Sequence, residues 1–154
     1  MALTIEDGTG VTGADSFASL VEFNATLLDY FNETSAEADA AKEGALRRSW
    51  LFMRSLSWDA SDADSVYPTF GGTIPADIKT AQGLFARAEL AAPGALAPSV
   101  VAGQQKILTR VGELGWTPTG QTGVDAQRTT VTMAMDLLED YLSGTGSTKF
   151  LLRG

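Results

Sequence analysis

Three groups of residues have types and spacings that chemistry uses. Gly8-Thr-Gly10-Val-Thr-Gly13 matches G-x-G-x-x-G, in which backbone N–H groups at a strand-to-helix turn cradle a pyrophosphate. That chemistry needs a βαβ unit, whereas the segments that follow read as two helices, and Glu6, Asp7 and Asp15 would repel phosphate. A glycine-rich arm is the plainer account of the motif. Asp59, Asp62 and Asp64 could offer oxygen ligands to Ca²⁺. An EF-hand loop counted from Asp62, however, places Val66 and Tyr67 where a ligand and the turn glycine belong, so this reads as a solvated acidic loop. Arg47, Arg48 and Arg54 lie close to Trp50, and interleaved cations and aromatics can bind a single strand. Against a net charge of −8, they read better as snorkelling or inter-subunit ion-pairing arginines.

What is missing bounds the chemistry further. The 154 residues contain no cysteine and no histidine, which removes disulfides, thiolates, the usual general base and the usual transition-metal ligand. Catalysis would have to rest on carboxylates, hydroxyls, Tyr or Lys, and no pair of carboxylates stands out as a glycosidase-like couple. The chain therefore reads as a non-enzyme with no cofactor and no metal. No apolar run approaches ~20 residues, so no membrane span is expected. The opening Met-Ala-Leu-Thr-Ile-Glu-Asp lacks a basic stretch followed by an apolar block, so no secretory signal is expected either. An acidic surface favours letting nucleic acid pass over gripping it.

The elements that must position these residues are mainly helical. Residues 1–18 read as an extended arm. A first helix starts at Ser19, with Glu22 completing a capping box, and carries Leu20, Phe23, Leu27, Tyr30 and Phe31 as its apolar stripe. A second opens at Thr34, with Glu37 in the matching position, and runs to about Leu56. Ala38, Ala41, Ala45, Phe52 and Leu56 form one face, broadened by Leu46, Trp50 and Met53. Pro75 sits in the first turn of a third helix with Ile78, Ala81, Phe85, Ala88 and Ala92 inward, ended by Pro93-Gly94. Residues 104–117 shift to a β pattern turning near Gly112, a short hairpin. A fourth helix spans about Asp125 to Leu142, with Gly144 at its end. The whole predicts one domain: a small four-helix bundle over 19–143 with a β-hairpin, and extended arms at 1–18 and 144–154.

The second arm carries the sharpest signal. A Gly/Thr/Ser hinge from Gly144 delivers Lys149, Phe150, Leu151, Leu152, Arg153 and Gly154. Full burial of the three apolar side chains is worth ~1.5–3 kcal/mol each. Ordering about ten residues costs ~1–2 kcal/mol apiece. The tail either adds Lys149–Leu152 as a strand to the chain's own hairpin or docks into an adjacent subunit or partner. In the second case one tail binds weakly, while tails repeated around a ring bind firmly.

Several stretches taken together resemble a phage family. They are Leu3-Thr-Ile-Glu-Asp-Gly-Thr-Gly10 with Gly13-Ala-Asp-Ser16, Ala40-Ala-Lys-Glu-Gly-Ala-Leu-Arg-Arg48, Tyr67-Pro68, Ile74-Pro75-x-x-Ile78-Lys79-x-Ala81 and Leu151-Leu-Arg-Gly154. Their order and spacing are similar to those of small tailed-phage proteins labelled DnaT-like single-stranded-DNA-binding proteins, which resemble head–tail adaptor (head-completion) proteins. Where such proteins carry a tryptophan before the loop proline, this chain has Tyr67. The resemblance implies a subunit of a twelve-copy ring under the portal of the virion, assembled in the bacterial cytoplasm. Such a ring extends the DNA channel without sequence-specific binding and docks a stopper or other tail-proximal neck protein. It further implies portal docking by residues 149–154. Around the ring the expected subunit interface is Arg47, Arg48, Trp50 and Arg54, with the second and fourth helices side by side. Lys106, Arg110, Glu113 and Trp116 of the hairpin are expected at the neck contact or the channel. The alternative is a DnaT-like module that binds single-stranded nucleic acid.

Overall fold

The computed structural model describes residues 2–59, 70, 72–98, 106–110, 115–118 and 129–143. It is mainly helical, and its centre is a helix rather than a layer. Helices α1 (Leu20–Phe31), α2 (Asp39–Arg54) and α4 (Thr132–Leu138) surround α3 (Ala76–Ala91), which packs against all three. The reason lies in α3 itself. Ala81, Gln82, Gly83, Leu84, Phe85 and Ala86 are consecutive and all buried, so this helix has no solvent face in its middle. Gly83 sets the distance to α1: a Cβ there would come within 2.9 Å of Thr26 Cγ2.

The termini of the helices follow local chemistry where it is available. Ser19 Oγ accepts the Glu22 N–H at 3.2 Å and the Glu22 carboxylate accepts the Ser19 N–H at 2.7 Å, so the expected capping box starts α1. Asn32, at φ 51°, closes it: its N–H donates to Leu28 O and that of Glu33 to Leu27 O. Tyr30, placed on the buried stripe by spacing, is exposed in the last turn, while Phe31 packs on the core.

Helix α2 begins later than its sequence suggests. The Thr34–Glu37 capping box does not form; Ala38 stands at the N-cap with no side-chain bond, and Glu37 N–H donates to Ser35 Oγ at 3.3 Å. The reversal at Asn32 leaves residues 33–38 to carry the chain from one helix to the next. Pro75 likewise stands just before α3 rather than within it, and Ala92 is exposed.

The fourth helix is short. Thr129, Thr130 and Val131 form a β-branched run that resists helix, and Thr129 N–H is held by Ala95 O at 3.0 Å. Helical turns therefore start at Thr132, and Leu138 passes into a 3₁₀ turn, Glu139–Tyr141. Residues 125–128 of the expected helix, and Gly144, lie outside the described residues. An antiparallel bridge, Trp58 with Leu142, then ties this end back to the chain after α2. The backbones of β1 (Lys106–Arg110) and β2 (Gly115–Pro118) pair antiparallel, Leu108 opposite Trp116 and Arg110 opposite Gly115, with a register shift between Leu108 and Arg110.

The core has two parts. The larger gathers Phe17, Trp50, Phe52, Met53, Trp58, Ile78, Phe85, Leu96 and Leu138 with their neighbours. The smaller, where α1, α2 and α3 meet, holds Ala18, Phe23, Leu27, Ala45, Leu46 and Ala86.

Candidate functional site

The glycine motif has an anion in its cradle, and the anion belongs to the chain. Glu6 is buried, and its Oε1 accepts the N–H groups of Gly8 at 2.9 Å and Gly10 at 2.8 Å, while Oε2 accepts that of Val11 at 2.8 Å. A ring of backbone N–H groups that could hold a phosphate is thus closed on a carboxylate. Residues 2–18 are accordingly a docked loop rather than an open glycine arm. Ile5 bridges Ser16, Asp15 accepts the Thr4 N–H at 2.7 Å, Gly72 N–H donates to Gly8 O, and Ser16, Phe17 and Ala18 are buried. A dinucleotide has no place to enter.

The arginine cluster is dispersed by its partners. Arg47 Nε lies 2.7 Å from Asp15, with Glu43 at 3.6 Å, and its Nη2 donates to Ala2 O. Arg48 Nε lies 2.7 Å from Glu89, which is 2% exposed and also accepts the N–H groups of Gly94 and Leu96. Burial pushes the Glu89 carboxyl up, but these two N–H groups and Arg48 outweigh it and hold its pKa below the ordinary glutamate value. Trp50 is buried, its ring 4.5 Å from that of Phe17. Only Arg54 of the four expected interface residues is exposed. The wide apolar flank of α2 is likewise covered within one copy, since Ala45, Leu46, Trp50, Phe52 and Met53 are all buried. Sequence periodicity showed that the flank was broad; it could not show that α1, α3 and the loop after Ile5 together are broad enough to cover it.

The same pattern extends to other cations. Lys79 pairs with Glu22 at 2.7 Å, and Arg87 pairs with Glu33 at 2.6 Å while stacking over Phe31, 4.0 Å from the ring centroid. Of Lys42, Arg47, Arg48, Arg54, Lys79 and Arg87, four are therefore in intramolecular ion pairs. Of Asp59, Asp62 and Asp64 only Asp59 is described; it is exposed, and its N–H donates to Tyr141 O. Asp62, Asp64, Glu113 and the tail from Lys149 to Gly154 lie outside the described residues, and Lys106, Arg110 and Trp116 are placed by backbone alone. Among the described residues no acidic cluster could hold a metal ion, and no helix is long and apolar enough to cross a membrane.

What the described surface offers instead is apolar. Val21 is 78% exposed and Leu28 50%, with exposed Ala25 between them at helical spacing. This stripe runs along the side of α1 opposite Phe23 and Leu27. Sequence reading missed it, because one helix carried enough apolar residues for two faces and only the inward one was sought.

The sequence model of one protein family, described as "Putative DnaT-like ssDNA binding protein", matches residues 1–154. No curated protein matches the chain, and no solved structure does.

Proposed function

The chain belongs to this DnaT-like family, and from that premise we propose that it works through protein contacts, as a non-enzymatic subunit of a head–tail adaptor ring in a phage neck. One observation carries the reading: Arg47, Arg48, Lys79 and Arg87 are engaged in ion pairs inside the molecule, while large apolar side chains stand unpartnered along α1. A protein that grips a nucleic-acid backbone keeps its Lys and Arg free to displace counterions. A protein that assembles keeps an apolar face free for its neighbours. The contact between subunits in this reading runs along the exposed stripe of α1 rather than through Arg47 and Arg48 of α2. In this reading residues 149–154 dock on the portal, β1 and β2 face the next neck protein or the channel, and DNA passes without being held.

The family's description favours a second reading, a single-stranded-DNA-binding module, over a neck protein, since it names that ligand. Arg54, Lys106 and Arg110, with the cations outside the described residues, would then have to supply the contacts.

One pair of measurements separates the two. Fluorescence anisotropy of a labelled single-stranded oligonucleotide at low salt should show no binding, and electron microscopy of the protein mixed with its portal should show a ring on the portal. Removing residues 145–154 should abolish that docking and leave helical circular dichroism unchanged. Oligonucleotide binding that weakens steeply with salt, together with no portal complex, transfers the assignment to the single-strand reading.

A further inference from the structure

Lys42 is 6% exposed, and among the described residues its side chain has no hydrogen-bond or ion-pair partner. Lysines are almost never buried to that degree unless paired, because an ammonium taken from water without a counter-charge is costly. Its position aggravates the problem. Lys42 lies at the end of the first turn of α2, where the helix field opposes a cation. Both effects call for an anion. Lys42 also forms part of the wall of a cavity of about 350 Å³ between α1 and the start of α2, with Asn24, Ala25, Leu28, Glu33 and Thr34. Leu28 and Ala25 belong to the exposed α1 stripe, so the cavity and the apolar face are continuous.

The walls indicate which anion. Ala25 and Leu28 suit an apolar group, and among the described residues Lys42 is the one cation in the wall, too little positive charge for a polyphosphate strand. A single carboxylate beside an apolar side chain fits. The chain itself presents that pair. Among the large exposed apolar side chains, Leu51 is followed one turn on by Arg54, and Tyr30 by Glu33, which Arg87 engages. Met133, 56% exposed, is followed one turn on by Asp136, exposed and with no partner for its carboxylate among the described residues.

We propose that the Lys42 cavity is the socket for a second copy of this chain, Asp136 reaching Lys42 while Met133 packs on Leu28. The two patches differ, so the contact can repeat from copy to copy around a closed ring. This inference rests on the ring reading above and names the contact that builds it.

The test is sedimentation velocity of the full chain over a concentration series. Wild-type protein should associate, and Lys42→Glu and Asp136→Lys should each abolish association. The Lys42→Glu/Asp136→Lys protein should recover it, because the charges are exchanged. Lys42→Met, which fits a buried site and guards against a folding artefact, should keep wild-type circular dichroism and weaken association on the order of thirtyfold, as loss of one member of a buried charge pair does. A monomeric wild type, single variants that associate like wild type, or a double variant that does not recover would each overturn the contact. Portal binding by a monomeric wild type would leave the adaptor reading standing while this contact falls; self-association without portal binding would do the reverse.

Discussion

The side-chain oxygen of Gln82 accepts the backbone N–H of Phe17 at 2.8 Å and that of Ala18 at the same distance. Gln82 is wholly buried in α3, and its Nε2 donates to Leu46 O at 3.2 Å, so one amide joins the N-terminal loop, α2 and α3. Replacing it by Met keeps the volume and strands two buried N–H groups, each worth ~1–3 kcal/mol when left unmade. Gln82→Met should lose roughly 2–4 kcal/mol in urea denaturation. A variant within about 0.5 kcal/mol of wild type, the range of neutral surface changes, would mean that the loop is not anchored there.

Acid should weaken the fold through Glu89 and Glu22. Burial raises both carboxyls, but hydrogen bonds from Gly94, Leu96 and Arg48 at Glu89, and from Lys79 and Ser19 at Glu22, bring both pKa values below the ordinary glutamate value. A pKa lowered on folding gives stability that is present above the unfolded value, about 4.3, and is lost as pH falls through the folded one. Urea midpoints should therefore hold from neutrality to about pH 5 and drop below it. Glu89→Gln should lower the midpoint at pH 7 and flatten the acid limb. An acid limb as steep as wild type would show that Glu89 carries none of it.

How much of this was legible beforehand depends on where each determinant resides. The Ser19–Glu22 box and the stop at Asn32 are local, and local chemistry decides them. Thr34–Glu37 fits the same hydroxyl-x-x-Glu pattern as Ser19–Glu22, yet no box forms, because the chain between α1 and α2 is needed as a connection. Periodicity found the apolar face of α2 but could not say that α3 and the N-terminal loop would cover it. Arg47 and Arg48 looked free because Asp15 and Glu89 stand far from them in the chain. Lys42 carried no signal at all: burial without a partner is a property of the folded molecule.

Gly8 should tolerate no side chain. Its φ is +97°, and a Cβ there would sit 2.7 Å from Thr73 N, a backbone atom that cannot swing aside. The same residue donates its N–H to Glu6 and accepts the N–H of Gly72. Gly8→Ala should cost ~1–3 kcal/mol from backbone strain alone. In a chain of this size each kcal/mol corresponds to roughly 2–4 °C in Tm. Differential scanning calorimetry should therefore show a clear fall, and an unchanged Tm would contradict the close passage of Gly8 over Thr73.

Gly83 offers a harder test, because helix propensity argues the other way. Alanine is better than glycine inside a helix by ~1 kcal/mol, and Gly83 lies within α3. Yet the new Cβ would stand 2.9 Å from Thr26 Cγ2, 3.1 Å from its Oγ1 and 3.2 Å from its Cβ. Thr26 cannot rotate freely, since Oγ1 donates to Glu22 O at 3.0 Å. Overpacking of this kind costs ~1–3 kcal/mol, so Gly83→Ala should destabilise on balance. Thr26→Ala removes the two nearest atoms but leaves the Cβ, and should recover part of the loss. The paired substitutions should thus be less destabilising than the sum of the single ones, the signature of residues in direct contact. Strict additivity, or a Gly83→Ala protein more stable than wild type, would mean that α1 and α3 do not approach as closely as Thr26 and Gly83 require.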